Sequence, residues 1–216
     1  MKTILCYGDS NAWGYMPAKA TRYRFDQRWP GVAARLLGSE YRLIEDSISG
    51  RTTVYNDPCH KCRCGLDNLG YALLAHAPID LVILALGTND LKFTDADGSA
   101  RGIARIIDLI KAADIFFDAC SPLYPGGLRL LLLGPPVIDS SILRKRPRHA
   151  LAKRARESAF LAEKYRAVAL EKGVFFLPAS DYAAPSPADC LHFDPESHAR
   201  LGQAVAEKVR EIFEEK

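Results

Sequence analysis

The sequence runs to 216 residues, 48% of them apolar, with 29 Lys and Arg against 26 Asp and Glu for a net charge of only +3. Such a chain buries one substantial core, which predicts a single domain spanning residues 1–216. The near balance of charge gives no reason to expect nucleic acid or an anionic membrane as partner.

The first apolar run, from Ile4 to Tyr7, is shorter than the ~7–15 residues of a signal-peptide core, and an acidic turn follows it. No segment approaches the ~20 apolar residues of a membrane span. The expectation is a cytoplasmic protein, mature from its first residue. In chain order, a strand is predicted over residues 3–7, followed by Gly8-Asp9-Ser10-Asn11. Residues 29–37 place Val32, Ala33, Leu36 and Leu37 at helical spacing, with Gly38 as a stop. A second strand over 42–45 leads into Ser47-Ile48-Ser49-Gly50-Arg51-Thr52. An irregular segment, 54–65, precedes a helix over 66–76. A third strand, 81–86, ends in Gly87-Thr88-Asn89-Asp90, and a helix is predicted over 103–117. Cys120, like Cys6, reads as a buried thiol. The fourth strand, 128–133, opens into a second irregular segment, 135–148, that carries the basic run Arg144-Lys145-Arg146-Pro147-Arg148-His149. That run reads as a solvated loop, the sharper alternative being a patch that attracts acidic substrates or a partner. Then come a helix over 150–170, a fifth strand over 174–177, and Asp189-Cys190-Leu191-His192. A last helix, 199–213, has Leu201, Val205, Val209 and Ile212 as its apolar stripe.

Three of the five strands are nearly unbroken Leu/Ile/Val runs, as in strands buried on both faces. Alternating strand and helix predicts a three-layer, doubly wound α/β/α domain with a five-stranded parallel sheet, flavodoxin-like, in the order 2-1-3-4-5 by analogy. In such sheets ligands sit beyond the carboxyl ends of the strands. Four polar groups stand there. Each has an ordinary reading by itself: Ser10, Asn89 or Asp90 as a helix cap, Gly50 as a turn residue, His192 as a surface or core side chain. Their convergence on one rim favours a site.

In these blocks the chain resembles the SGNH/GDSL hydrolase family, named for Ser, Gly, Asn and His. Gly-Asp-Ser, Ser-Gly-Arg-Thr, Gly-Thr-Asn-Asp and Asp-x-x-His fall in the family's order and roughly its spacing. Asp194-Pro195-x-x-His198-x-x-Leu201-Gly202 is similar to its closing helix. The resemblance covers essentially the whole chain. It implies an esterase, lipase, thioesterase or carbohydrate deacetylase, with no cofactor and no metal. Asn11 departs from the Leu most common there and bears on pocket shape. The chemistry agrees with the residue types. A serine hydroxyl needs a base to take its proton, the part His192 would play for Ser10. Asp189, three residues earlier and so one tight helical turn away, would orient the imidazole and stabilise the imidazolium. The resemblance assigns the oxyanion donors as the backbone N–H of Ser10, that of Gly50, and the Asn89 side-chain amide. Trp13 and Tyr15 either line the substrate pocket or pack under the first loop, and the irregular segments 54–65 and 135–148 are expected to shape access to the pocket.

Cys59-His60-Lys61-Cys62-Arg63-Cys64 lies outside the family pattern. It invites a zinc reading, but a structural site draws on two ligand pairs and the sequence offers no second one. Incidental or redox-sensitive thiols fit better, with a disulfide as the remaining reading. Beside hydrolysis of a small-molecule ester stand acyl transfer to an alcohol, a non-catalytic flavodoxin-like binding module, and a metal or redox protein built on these cysteines. The loop Gly8-Asp9-Ser10-Asn11 lacks the Gly-rich, Lys-bearing cradle of a phosphate-binding module. The ester's identity and a homo-oligomeric state stay open.

Overall fold

A computed structural model describes residues 1–216 except Ala18, Asp118 and Lys216. Five strands, β1 (Lys2–Gly8), β2 (Tyr41–Ser47), β3 (Leu81–Ala85), β4 (Leu130–Gly134) and β5 (Phe175–Pro178), form one parallel sheet in the order β2-β1-β3-β4-β5. This is the expected order. Alternation along each strand sends side chains to two cores. Leu5, Tyr7, Val82, Leu84 and Leu132 enter one, packed by helices α2 (Gly65–His76), α3 (Ala96–Lys111) and α4 (Ser158–Lys172). Ile4, Cys6, Ile83 and Leu131 enter the other, covered by α1 (Trp29–Leu37) and α5 (Pro195–Glu214). Both faces are thus buried, which explains the unbroken apolar runs.

Local chemistry sets the helix ends. Asp95 caps α3 by accepting the Gly98 N–H, and Asp194 caps α5 by accepting the Ser197 N–H, with Pro195 in the first turn. The capped start of α3 at Ala96 lies well before the expected residue 103. The helix stops at Lys111, and a separate turn, Ala113–Phe116, follows. The stretch 150–170 also divides, with a 3-10 segment Ala152–Glu157 before α4. Cys120 is exposed beyond these turns, not buried as expected, whereas Cys6 is fully buried.

The register levels the strand ends. Gly8 of β1 pairs with Ser47 of β2 and Ala85 of β3. The segments after β1, β2 and β3 therefore leave the sheet side by side.

Candidate active site

After β1 the chain makes one helical turn, Ser10–Trp13. Its cap is Asp9, whose carboxylate accepts the Asn11 N–H at 3.0 Å. Ser10 is therefore not the cap, and its hydroxyl meets His192 Nε2 at 2.9 Å. His192 Nδ1 lies 2.6 Å from Asp189 Oδ2. Burial alone would raise the Asp189 carboxyl, but hydrogen bonds from the His192 ring and from two backbone N–H groups hold it below the ordinary carboxylate range. An ionised Asp189 can only accept, so Nδ1 donates to it, and in the neutral imidazole Nε2 can then accept the Ser10 hydroxyl hydrogen.

The segment from Asp189 to His192 is not the helical turn expected from its spacing. Asp189 Oδ1 accepts the N–H groups of Leu191 (3.0 Å) and His192 (2.9 Å), and Cys190 between them sits at φ 68°. This side chain-to-backbone turn brings Oδ2 to the imidazole. Tyr15 packs against the His192 ring, the centroids 4.2 Å apart and the planes tilted by 33°. Trp13 does not join it, because its ring lies under the Arg22 guanidinium at 5.0 Å.

Ser10, Gly50, Asn89 and His192 share one cavity of about 230 Å³, with Asp189 buried behind His192. Gly50 has φ 83°, a conformation that glycine adopts without strain and that carries its backbone to the cavity. Arg51 anchors this turn, donating to the Asp46 carbonyl (2.5 Å) and carboxylate (2.9 Å) and lying over the Tyr7 ring. Asn89 lies in the 3-10 turn Thr88–Lys92 and caps nothing. Its amide donates one hydrogen to Asp9 at 3.4 Å, leaving the other for the cavity. Burial raises the Asp9 carboxyl to about 6, opposed by the Asn11 N–H and by His192. Both irregular segments reach this cavity: Asp57, His60 and Arg63 come from the first, and Arg146 from the second. Of the cysteines between 59 and 64, Cys59 and Cys62 are exposed and Cys64 is buried.

Similarity to known proteins agrees with this geometry. The family model for the GDSL-like Lipase/Acylhydrolase family matches residues 6–200. The chain belongs to this family. It is 31% identical to an aryl esterase from M. smegmatis over 98% of this chain and 100% of that one, with a TM-score of 0.88. It is also 31% identical to a carbohydrate acetylesterase from Sinorhizobium meliloti, over 99% and 100% of the two chains, again at 0.88. Comparison with curated proteins gives no match. The protein is a carboxylic ester hydrolase, which sets aside a non-catalytic binding module. No described helix is long and apolar enough to cross a membrane.

The supporting roles of two residues around this candidate site are not readable from the motifs. The first is Asn11. Its amide donates to the Leu191 carbonyl (3.4 Å) and its oxygen accepts the Phe193 N–H (3.1 Å), so it grips the chain on both sides of His192. Its effect therefore falls on the histidine's position, not mainly on pocket shape. With His192 as the base proposed below, Asn11→Leu should lower kcat ~10–10²-fold with little change in KM, because a small displacement of a reacting group is costly. It should also destabilise by about 1–3 kcal/mol through the unpaired groups left buried. Steady-state kinetics with urea denaturation measures both, and kcat within twofold of wild type refutes the positioning role.

The second support is Asp90. It accepts the Thr53 N–H and hydroxyl, both at 2.7 Å, and the Ser99 hydroxyl at 3.0 Å, tying the chain after Gly50 to the Asn89 turn. Burial raises its carboxyl to about 7 against these bonds. Between pH 4 and 7 the folded protein keeps a proton that the unfolded chain has released. Asp90's contribution to stability is thus full below its ordinary 3.8 and lost as pH rises through about 7. His198, pushed down to about 3 by burial, bends the wild-type curve the other way. The informative quantity is therefore the Tm of Asp90→Asn minus that of wild type, which should grow from pH 4 to pH 8. A difference independent of pH refutes this assignment.

Proposed function

We propose that the protein hydrolyses small carboxylic esters through an acyl-enzyme on Ser10, with His192 as base and Asp189 orienting it. The observation that carries this reading is the buried chain of two hydrogen bonds from Ser10 Oγ through His192 to Asp189, at 2.9 and 2.6 Å. As Ser10 Oγ attacks the ester carbon, His192 Nε2 takes its proton, and Asp189 stabilises the imidazolium. The carbonyl oxygen becomes an oxyanion that accepts from the backbone N–H of Ser10, that of Gly50 and the free hydrogen of the Asn89 amide. Collapse of the intermediate breaks the bond to the alcohol oxygen, which leaves with the proton from His192. Water then enters, gives a proton to His192, and its oxygen attacks the acyl carbon. The carboxylic acid departs as Ser10 recovers its hydrogen.

None of these steps calls for a Lewis acid or a redox group. The similarity to an aryl esterase and a carbohydrate acetylesterase supports acetyl or another short acyl group as the one transferred. Six unpaired thiols support a cytoplasmic setting, and one core on each face of a single sheet supports one domain. A fluorophosphonate probe tests the reading. It should label wild type at Ser10, as located by peptide mass spectrometry, and label on another residue or no label defeats it.

A further inference from the structure

The cavity that holds Ser10 has a charge pattern that ester hydrolysis by itself does not require. Arg63, Lys92 and Arg146 all line it. Lys92 is matched: it lies 3.5 Å from Asp57, which also pairs with His60 at 3.3 Å. Arg63 is not. The residue is partly buried, and its guanidinium makes no hydrogen bond or ion pair among the described residues. Its position is close to the chemistry, since a methyl group placed on Gly50 would lie 3.6 Å from Arg63 Nε and 3.8 Å from Lys92 Nζ.

Arg146 is the third cation of the lining. Its guanidinium is 3.9 Å from Asp189, whose carboxylate is already engaged by His192, and its side chain remains 43% exposed. A second hollow of about 440 Å³, lined by Arg146, Pro147, Arg148 and His149, shares Arg146 and His149 with the lining of the cavity. The basic run noted in the sequence therefore edges the site. Burial and the neighbouring Arg146 push the His149 imidazole down, so near neutrality it offers a neutral ring with a hydrogen to donate. A planar guanidinium with several N–H groups is matched best by an oxyanion that can accept two of them.

We infer that the ester taken by this enzyme carries an oxyanionic substituent, a carboxylate, sulfate or phosphate, held by Arg63 together with Arg146 of the same cavity lining. The inference rests on the serine-esterase reading of the same cavity. His192 must reach the departing alcohol oxygen, and Arg146 stands on the His192 side, so the substituent belongs to the alcohol. Low dielectric and a cavity wall strengthen such a pairing relative to bulk water. The substituent's charge makes the ester a substrate, where an uncharged ester of the same shape is merely tolerated.

The test compares 4-carboxyphenyl acetate with 4-carbamoylphenyl acetate, and monophenyl adipate with phenyl adipamate, placing the charge on the alcohol or on the acyl part. 4-Sulfophenyl acetate and 4-phosphonooxyphenyl acetate separate the oxyanions. The quantity read is the anionic-to-neutral ratio of kcat/KM in wild type, Arg63→Gln, Arg63→Lys and Arg146→Gln, so that intrinsic ester reactivity cancels between variants. Wild type should favour the anionic acetates, mainly through KM. Arg63→Gln should cut the ratio ~10-fold or more, as expected for a lost charge-assisted hydrogen bond. Arg63→Lys should retain part of it, and salt near 1 M, with its Debye length of ~3 Å, should erode it. A wild-type ratio no larger on the anionic side, or an Arg63→Gln loss equal for both members of each pair, overturns the inference. Preference only within the adipate pair overturns the alcohol assignment. If wild type hydrolyses no ester and Ser10 resists the fluorophosphonate, the serine mechanism fails first, and the two failures remain distinct.

Discussion

Ser10→Ala is expected to lower kcat on phenyl acetate by ~10⁴-fold or more, as loss of a triad nucleophile does. The hydroxyl removed is the one 2.9 Å from His192 Nε2, and no water placed by chance restores its alignment. The variant should fold normally, because Asp9 and not Ser10 caps the turn after β1. Circular dichroism and Tm would therefore match wild type while the fluorophosphonate finds no target. Activity within tenfold of wild type, in protein freed of contaminating esterase, removes Ser10 from the mechanism.

Asn89→Ala should lower kcat by ~10²–10³-fold with KM little changed, the usual effect of losing one oxyanion donor. The donor works only as the transition state develops charge, so the loss belongs to kcat. Asp9 adds a complication that makes the result more informative. It holds the amide at 3.4 Å, and removing Asn89 leaves the Asp9 carboxyl buried beside the nascent oxyanion. Asn89→Gln should not restore activity, since the longer side chain cannot keep the Asp9 bond and the cavity position together. A rise in KM at constant kcat would assign Asn89 to ground-state binding instead.

These two residues were legible in the sequence because each follows a strand whose apolar run announces it. β1 and β3 are buried on both faces, so their limits stand out, and whatever polar residues follow must lie on the rim. The start of α3 was hidden because Ala96, Gly98 and Ser99 are buried without being strongly apolar, although Asp95 is a proper cap. Asp189 and His192 were readable as a pair, yet their turn was mistaken for helix, since a spacing of three residues fits both and only the backbone at Cys190 decides. The supports were the least legible. Asn11 reaches residues about 180 positions away and Asp90 reaches Thr53 across 37, separations at which local pattern carries no information. Arg63 drew notice only as a neighbour of cysteines, and its place beside Gly50 depends on how the loop folds back.

The hydrogen bond between Ser10 and His192 spans 182 positions, and this separation has a meaning in time. At ~5–20 residues per second of synthesis, roughly 10–40 s pass between the making of Ser10 and the making of His192. Throughout that interval Ser10 has no partner to take its proton, and the two chain segments that Asn11 joins are not both present. On the proposed mechanism a nascent or prematurely ended chain is expected to be chemically silent, however well its first strands have paired. Esterase activity in a ribosome-bound series of increasing length should appear in a single step, only after His192 and enough of α5 to hold it have cleared the exit tunnel.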